Sequence, residues 1–101
     1  MRLQNSTFIL LLLSFTLAAS SSIEGIITDS RSGDMLMGAN IMLDGTMLGS
    51  ASDENGSYII SNISIGTYTL KAMYIGYEPH EEDIYVEADK IYTVNIALKP
   101  S

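Results

Sequence analysis

Four consecutive residues, His80, Glu81, Glu82 and Asp83, carry the side chains best suited to hold a metal or move a proton. In an extended strand successive side chains alternate, so His80 and Glu82 share one face while Glu81 and Asp83 take the other. Two ligands on a face do not make a closed metal site. The run therefore reads as a solvated strand edge whose charges discourage edge-to-edge pairing. A second candidate is Asp53, Glu54, Asn55 and Gly56, which offers oxygen ligands of the kind a calcium loop uses. Twelve positions along, where an EF-hand places its bidentate glutamate, the chain has Ser64. Asp, Asn and Gly in succession are what a tight turn needs, and a turn is the expectation.

Nucleophilic catalysis finds little support. There is no cysteine, and His80 is the single histidine available to activate any of the serines. No glycine-rich phosphate loop opens a helix, because no helix is expected. The sequence thus points to no catalytic residue, no cofactor and no metal. Its tyrosines remain. Strand phase turns Tyr58, Tyr68 and Tyr74 inward and leaves Tyr77, Tyr85 and Tyr92 as candidates for ligand contact, since aromatic rings stack on sugars. Against this stand the absence of tryptophan and the ordinary role of tyrosine as a half-buried sheet residue with a wet hydroxyl. Three glycosylation sequons, at Asn5, Asn55 and Asn62, read as leader or turn residues in a bacterial chain.

The elements that would position these groups are strands. Short alternating runs are separated by Gly, Asp, Asn and Ser. Strands are expected at residues 24–28, 39–43, 46–52, 57–60, 67–75, 80–86 and 91–98. Asp44 and Gly45 between two apolar runs signal a hairpin. The expected core is Ile27, Ala39, Ile41, Leu43, Tyr58, Ile60, Leu70, Ala72, Ile84, Val86, Val94, Ile96 and Leu98. Seven strands at roughly ten-residue spacing suggest a β-sandwich or small barrel.

The chain has 101 residues and a net charge of −7, with five Lys+Arg against twelve Asp+Glu. That balance argues against nucleic acid, which needs a basic face. Residues 1–22 read differently from the rest. Arg2 is their one charge, residues 8–19 are an apolar run broken by Ser14 and Thr16, and small residues follow from Ala18 to Ser22. Positive, apolar, small is the order of a secretory signal peptide. Cleavage after Ala19 or Ser20 is expected. The run is too short for a permanent transmembrane span. Without the +1 of Arg2, residues 23–101 carry −8. An exported domain without cysteine fits a bacterial envelope better than an animal extracellular space.

An ordered series of motifs then resembles a known family. It runs from Ile26, Thr28 and Asp29 through Gly33, Leu36, Gly38, Ala39 and Ile41, then Gly45, Thr46, Gly49, Ser52, Asp53, Gly56 and Tyr58. It continues through Gly66, Tyr68 and Leu70 to Tyr74, Gly76 and Tyr77. This series resembles the carboxypeptidase regulatory-like domain over nearly all of residues 23–99. The resemblance implies an all-β, seven-stranded antiparallel Greek-key β-sandwich of transthyretin-like type, preceded here by a signal peptide at 1–22 and occupying 23–101. Where the family often has proline the chain has Met35, Met37 and Ile65, which implies altered turns. Such domains commonly precede the plug and barrel of TonB-dependent outer-membrane receptors. The resemblance implies a non-catalytic accessory module in the periplasm, at the outer membrane or secreted, whose partner is a protein or downstream receptor domains. Both a stand-alone protein and the front of a longer receptor fit it. A small carbohydrate-binding module using Tyr77, Tyr85 or Tyr92 is the alternative.

Overall fold

The computed structural model describes residues 20–101; residues 1–19, on which most of the expected signal peptide at 1–22 falls, lie outside the described residues. The strands are β1 (Ser21–Asp29), β2 (Asn40–Leu43), β3 (Gly49–Ala51), β4 (Ser57–Ile63), β5 (Gly66–Met73), β6 (His80–Val86), β7 (Ile91–Thr93) and β8 (Ile96–Leu98). They form two sheets. One has the order β4-β1-β7, with β8 also on β1, and the other β3-β2-β5-β6. Among the described residues there is no helix.

Alternation builds the core. In β2, Ile41 and Leu43 are buried while Asn40 and Met42 face out. In β5, Leu70 and Ala72 point inward beside half-buried Tyr68. The inner faces of both sheets meet through Ile23, Ile27, Ile41, Leu43, Ile60, Ile63, Leu70, Val86, Ile96 and Leu98, the interdigitated layer of a sandwich. Ile84 and Val94 only pack against this core. β6 is an edge strand, and Val94 lies in a break between strands. Ile23, Leu36 and Ile63 join it unforeseen. Leu36 is drawn in because the loop after β1 folds back, its amide donating to the Ile27 carbonyl at 3.0 Å. Ile63 is reached by a bulge. The β1–β4 register shifts between Ser21 and Ile23, and Asn62 takes φ 61°, which resets the alternation.

Eight strands replace the expected seven because residues 91–98 are interrupted. Glu24 pairs with Thr93 and Ile27 with Ile96, so the register is continuous across the gap. At the gap the Asn95 side chain does the work of a carbonyl, its Oδ1 accepting the Ile26 N–H at 2.9 Å. The sandwich is also not wholly antiparallel, since β1 pairs with β7 and β8 in parallel. No hairpin links these strands. Their relative direction follows from how often the chain crosses between sheets, which local alternation does not encode.

The Asp44–Gly45 hairpin is present between β2 and β3, with Gly45 at φ 80°. Its loop is longer than two residues. The Leu43 amide donates to the Leu48 carbonyl, and Thr46 Oγ1 donates to the Leu43 carbonyl at 2.8 Å. The third strand is correspondingly short.

Candidate functional site

The chemistry-bearing residues of the sequence lie apart. His80 and Glu82 do share a face, with Nε2 and Oε1 2.8 Å apart. That face is the inner one, because Glu82 is opposite buried Leu70 and His80 opposite buried Ala72. An inward-pointing polar pair that includes a carboxylate, on an edge strand, blocks further strand addition. Glu81 and Asp83 face out, where they meet β5. Glu81 lies 3.7 Å from Lys71 Nζ, and Asp83 accepts from Thr69 Oγ1 at 2.9 Å. Lys71 is also 3.7 Å from Asp44. Exposed pairs of this kind contribute little to stability.

Asp53 organises its own turn. Its Oδ1 accepts the amides of Asn55 and Ser57, both at 2.9 Å. Gly56 closes the turn at φ 74°, where an added Cβ would stand 2.7 Å from the Ile27 carbonyl oxygen. Among the described residues no three His, Cys, Asp or Glu side chains gather as a metal site would need.

The three candidate tyrosines do not converge. Tyr77 follows β5, and its hydroxyl donates to Asp29 Oδ2 at 2.7 Å. Tyr92 sits in β7 beside Ile23, at the opposite end of β1, and its hydroxyl accepts the Glu87 amide at 2.8 Å. Both rings pack against the core. Tyr85 stands exposed in β6 opposite Thr67. Of the tyrosines read as inward, Tyr58 is buried and donates to the Val94 carbonyl at 2.6 Å. Burial first, and then the nearby Glu82 carboxylate, push its hydroxyl pKa well above the usual tyrosine range.

Alternation on single strands did not reveal the surface that the folded sheets assemble. A shallow depression of about 690 Å³ lies over the outer face of the first sheet and reaches Ser50 and Ala51 of β3. Its floor includes the exposed Ile26 and Ile59, and its rim includes Glu24, Asp53, Ser57, Thr93 and Asn95. Ile59 is opposite Glu24, and Ser57 opposite Ile26. A smaller groove of about 420 Å³ on the other sheet is bordered by Met42, Met47 and Met73. Only cross-strand register puts such residues side by side. The arrangement offers contact surface and backbone edge.

Residues 23–101 match the CarboxypepD_reg-like domain family. The chain belongs to that family. As a CarboxypepD_reg-like domain, it is 34% identical over 74 residues to TonB-dependent receptor P3 of Formosa agariphila, a match covering 73% of this chain and 7% of the receptor. Two solved structures share its fold. One is the type II cohesin–X-dockerin complex of Acetivibrio cellulolyticus. That match has TM-score 0.67 and 24% identity, and covers 79% of this chain and 58% of that one. The other is BcpA, the major pilin subunit of Bacillus cereus. It has TM-score 0.65 and 20% identity, covering 82% of this chain and 31% of that one. No helix among the described residues is long and apolar enough to cross a membrane.

Proposed function

We propose that this CarboxypepD_reg-like domain is a non-catalytic, exported interaction module of an outer-membrane receptor system in a bacterial envelope. The observation that carries the reading is the 34% identity to a TonB-dependent receptor, in which the matching stretch is 7% of the length. So small a share supports an accessory role. In the same reading the export leader lies within residues 1–22. Cleavage after Ala19 or Ser20 is compatible with the fold, because Ser21 is buried in β1 and its Oγ accepts the Lys90 amide at 3.0 Å. Partners are met through sheet edges, outer faces and turns, and no chemistry is performed.

Fractionation of the producing bacterium tests this. The expected result is processed protein in the periplasmic or outer-membrane fraction, cross-linked there to an envelope protein. Recovery in the cytoplasm with Met1 retained would overturn it.

The glycan reading rests on Tyr85, the most open of the three candidate rings. Retardation on polysaccharide gels that is lost in Tyr85→Ala would support it. The separation of Tyr77 from Tyr92 and the internal hydrogen bonds of both make it the lesser reading.

A further inference from the structure

We propose that the free edge of β4 is a docking edge for an extended, positively charged segment of a partner protein. The segment adds to the first sheet as another strand and lays alternate side chains beside Ile59 and over Ser57 toward Ile26. This inference rests on the interaction-module reading and names both the surface and the partner's chemistry.

The ladder between β1 and β4 shows which backbone groups are free. The Ile27 amide donates to the Gly56 carbonyl at 2.8 Å, while Gly25 lies opposite Tyr58 and Ile23 opposite Ile60. In an antiparallel pair, hydrogen-bonded and non-hydrogen-bonded positions alternate. Ser57 and Ile59 therefore turn their N–H and C=O groups away from β1. At Ser57 both are already used by Asp53. Its Oδ1 accepts the Ser57 amide and its own amide donates to the Ser57 carbonyl, each at 2.9 Å. At Ile59 neither group has a partner among the described residues. A partner strand is the natural acceptor and donor for them.

The other edges are closed to such addition. β6 carries Glu81, Asp83 and the inward His80–Glu82 pair. β3 has three residues. The edge formed by β7 and β8 is broken at Val94 and Asn95. β4 has seven residues, with no charge and no proline, and so lacks the devices that protect an edge.

Charge selects the occupant. The depression beside β4 contains Glu24 and Asp53 and no lysine or arginine. Residues 23–101 carry −8, the −7 of the chain less the +1 of Arg2. A second copy would bring like charge to an acidic rim, whereas a strand with lysine and an apolar residue two positions apart presents both to the one face that carries the carboxylates and the isoleucines.

The test is an NMR titration of the ¹⁵N-labelled protein with the peptide acetyl-Lys-Thr-Val-Thr-Lys-amide, whose two lysines and valine share one face of a strand. The expected result is amide shifts centred on Ser57, Ile59 and Ile26, with slowed hydrogen exchange at the Ile59 amide. Glu24→Lys, which leaves the backbone ladder intact, should weaken binding about tenfold by opposing the incoming charge. A peptide with glutamate in place of lysine should not bind. Equal binding of both peptides, no shifts with peptide at about 1 mM, or loss of the Ile59 shift with retention elsewhere would overturn the proposal. Shifts centred on β6 or β3 would overturn the β4 assignment and leave the interaction-module reading standing. Shifts at Ile59 that follow protein concentration without peptide would assign the edge to a second copy instead, and so overturn it as well.

Discussion

The Tyr77 hydroxyl donates to Asp29 Oδ2 at 2.7 Å, joining the turn after β5 to the end of β1 across 48 positions of sequence. The same carboxylate uses Oδ1 to accept the amides of Arg31 and Ser32, at 2.7 and 2.9 Å. Bonds to the charged form hold the Asp29 pKa below its usual 3.8, the Ser32 amide foremost, then the Tyr77 hydroxyl and the Arg31 amide. The Tyr77 hydroxyl is in turn held above its usual 10.0, chiefly by its bond to Asp29.

The sign of the pH dependence at Asp29 follows. A carboxyl with a lowered folded pKa contributes stability that is present above its unfolded value and lost as pH falls through the folded one. In Tyr77→Phe the Asp29 pKa should rise toward 3.8 without reaching it, because the Ser32 and Arg31 amides remain. A carboxyl-carbon NMR titration of both proteins checks this. An unchanged Asp29 pKa would contradict the bond.

At the alkaline end Tyr58 governs. Its hydroxyl is held protonated by burial and by Glu82. A group with a raised folded pKa contributes stability that is present below the unfolded value of 10.0 and lost as pH climbs through the folded one. Tyr58→Phe should therefore flatten the loss of stability above pH 10. At neutral pH it should cost about 1–3 kcal/mol, because it strands the Val94 carbonyl. Urea unfolding at several pH values measures both effects.

Gly25 is opposite Tyr58 in the ladder, and a Cβ there would stand 2.0 Å from the Val94 carbonyl oxygen. The obstacle is backbone, so no rotamer relieves it. Gly25→Ala should cost about 3 kcal/mol, at the upper end of overpacking, and should loosen β8 from β1. Hydrogen exchange would show this as lost protection of the amides that pair the two strands.

Ser52 is buried, and its Oγ donates to the Leu36 carbonyl at 2.6 Å while accepting the Ala39 amide at 2.9 Å. Ser52→Ala leaves both backbone groups without that partner. A loss of about 2–3 kcal/mol is expected in denaturant unfolding. Ser52→Thr, which keeps the hydroxyl, separates the hydrogen bonds from crowding. It should retain more stability than the alanine variant if the bonds dominate.

The candidate surface was less legible in the sequence than the core. The alternation of Ile41 with Met42 and of Leu70 with Lys71 shows on any one strand which side is wet. It does not say which wet residues of different strands become neighbours. Glu24, Ile59 and Asp53 are far apart in sequence and adjacent only through register and a turn. The tyrosines show the converse. Tyr77, Tyr85 and Tyr92 share a strand-phase argument, yet the fold disperses them to two ends of β1 and to an edge of the other sheet.

The sequence by itself determined the class of fold, the positions of most turns and the family, because period-two alternation and turn-forming residues act over a few neighbours. Gly45 and the Asp53 turn lie where local rules require them. Only the tertiary structure decided the parallel pairing of β1 with β7 and β8, the bulge that brings Ile63 inward, and the free backbone groups at Ile59. Each of these depends on contacts between residues far apart in the chain, which no local pattern of side chains records.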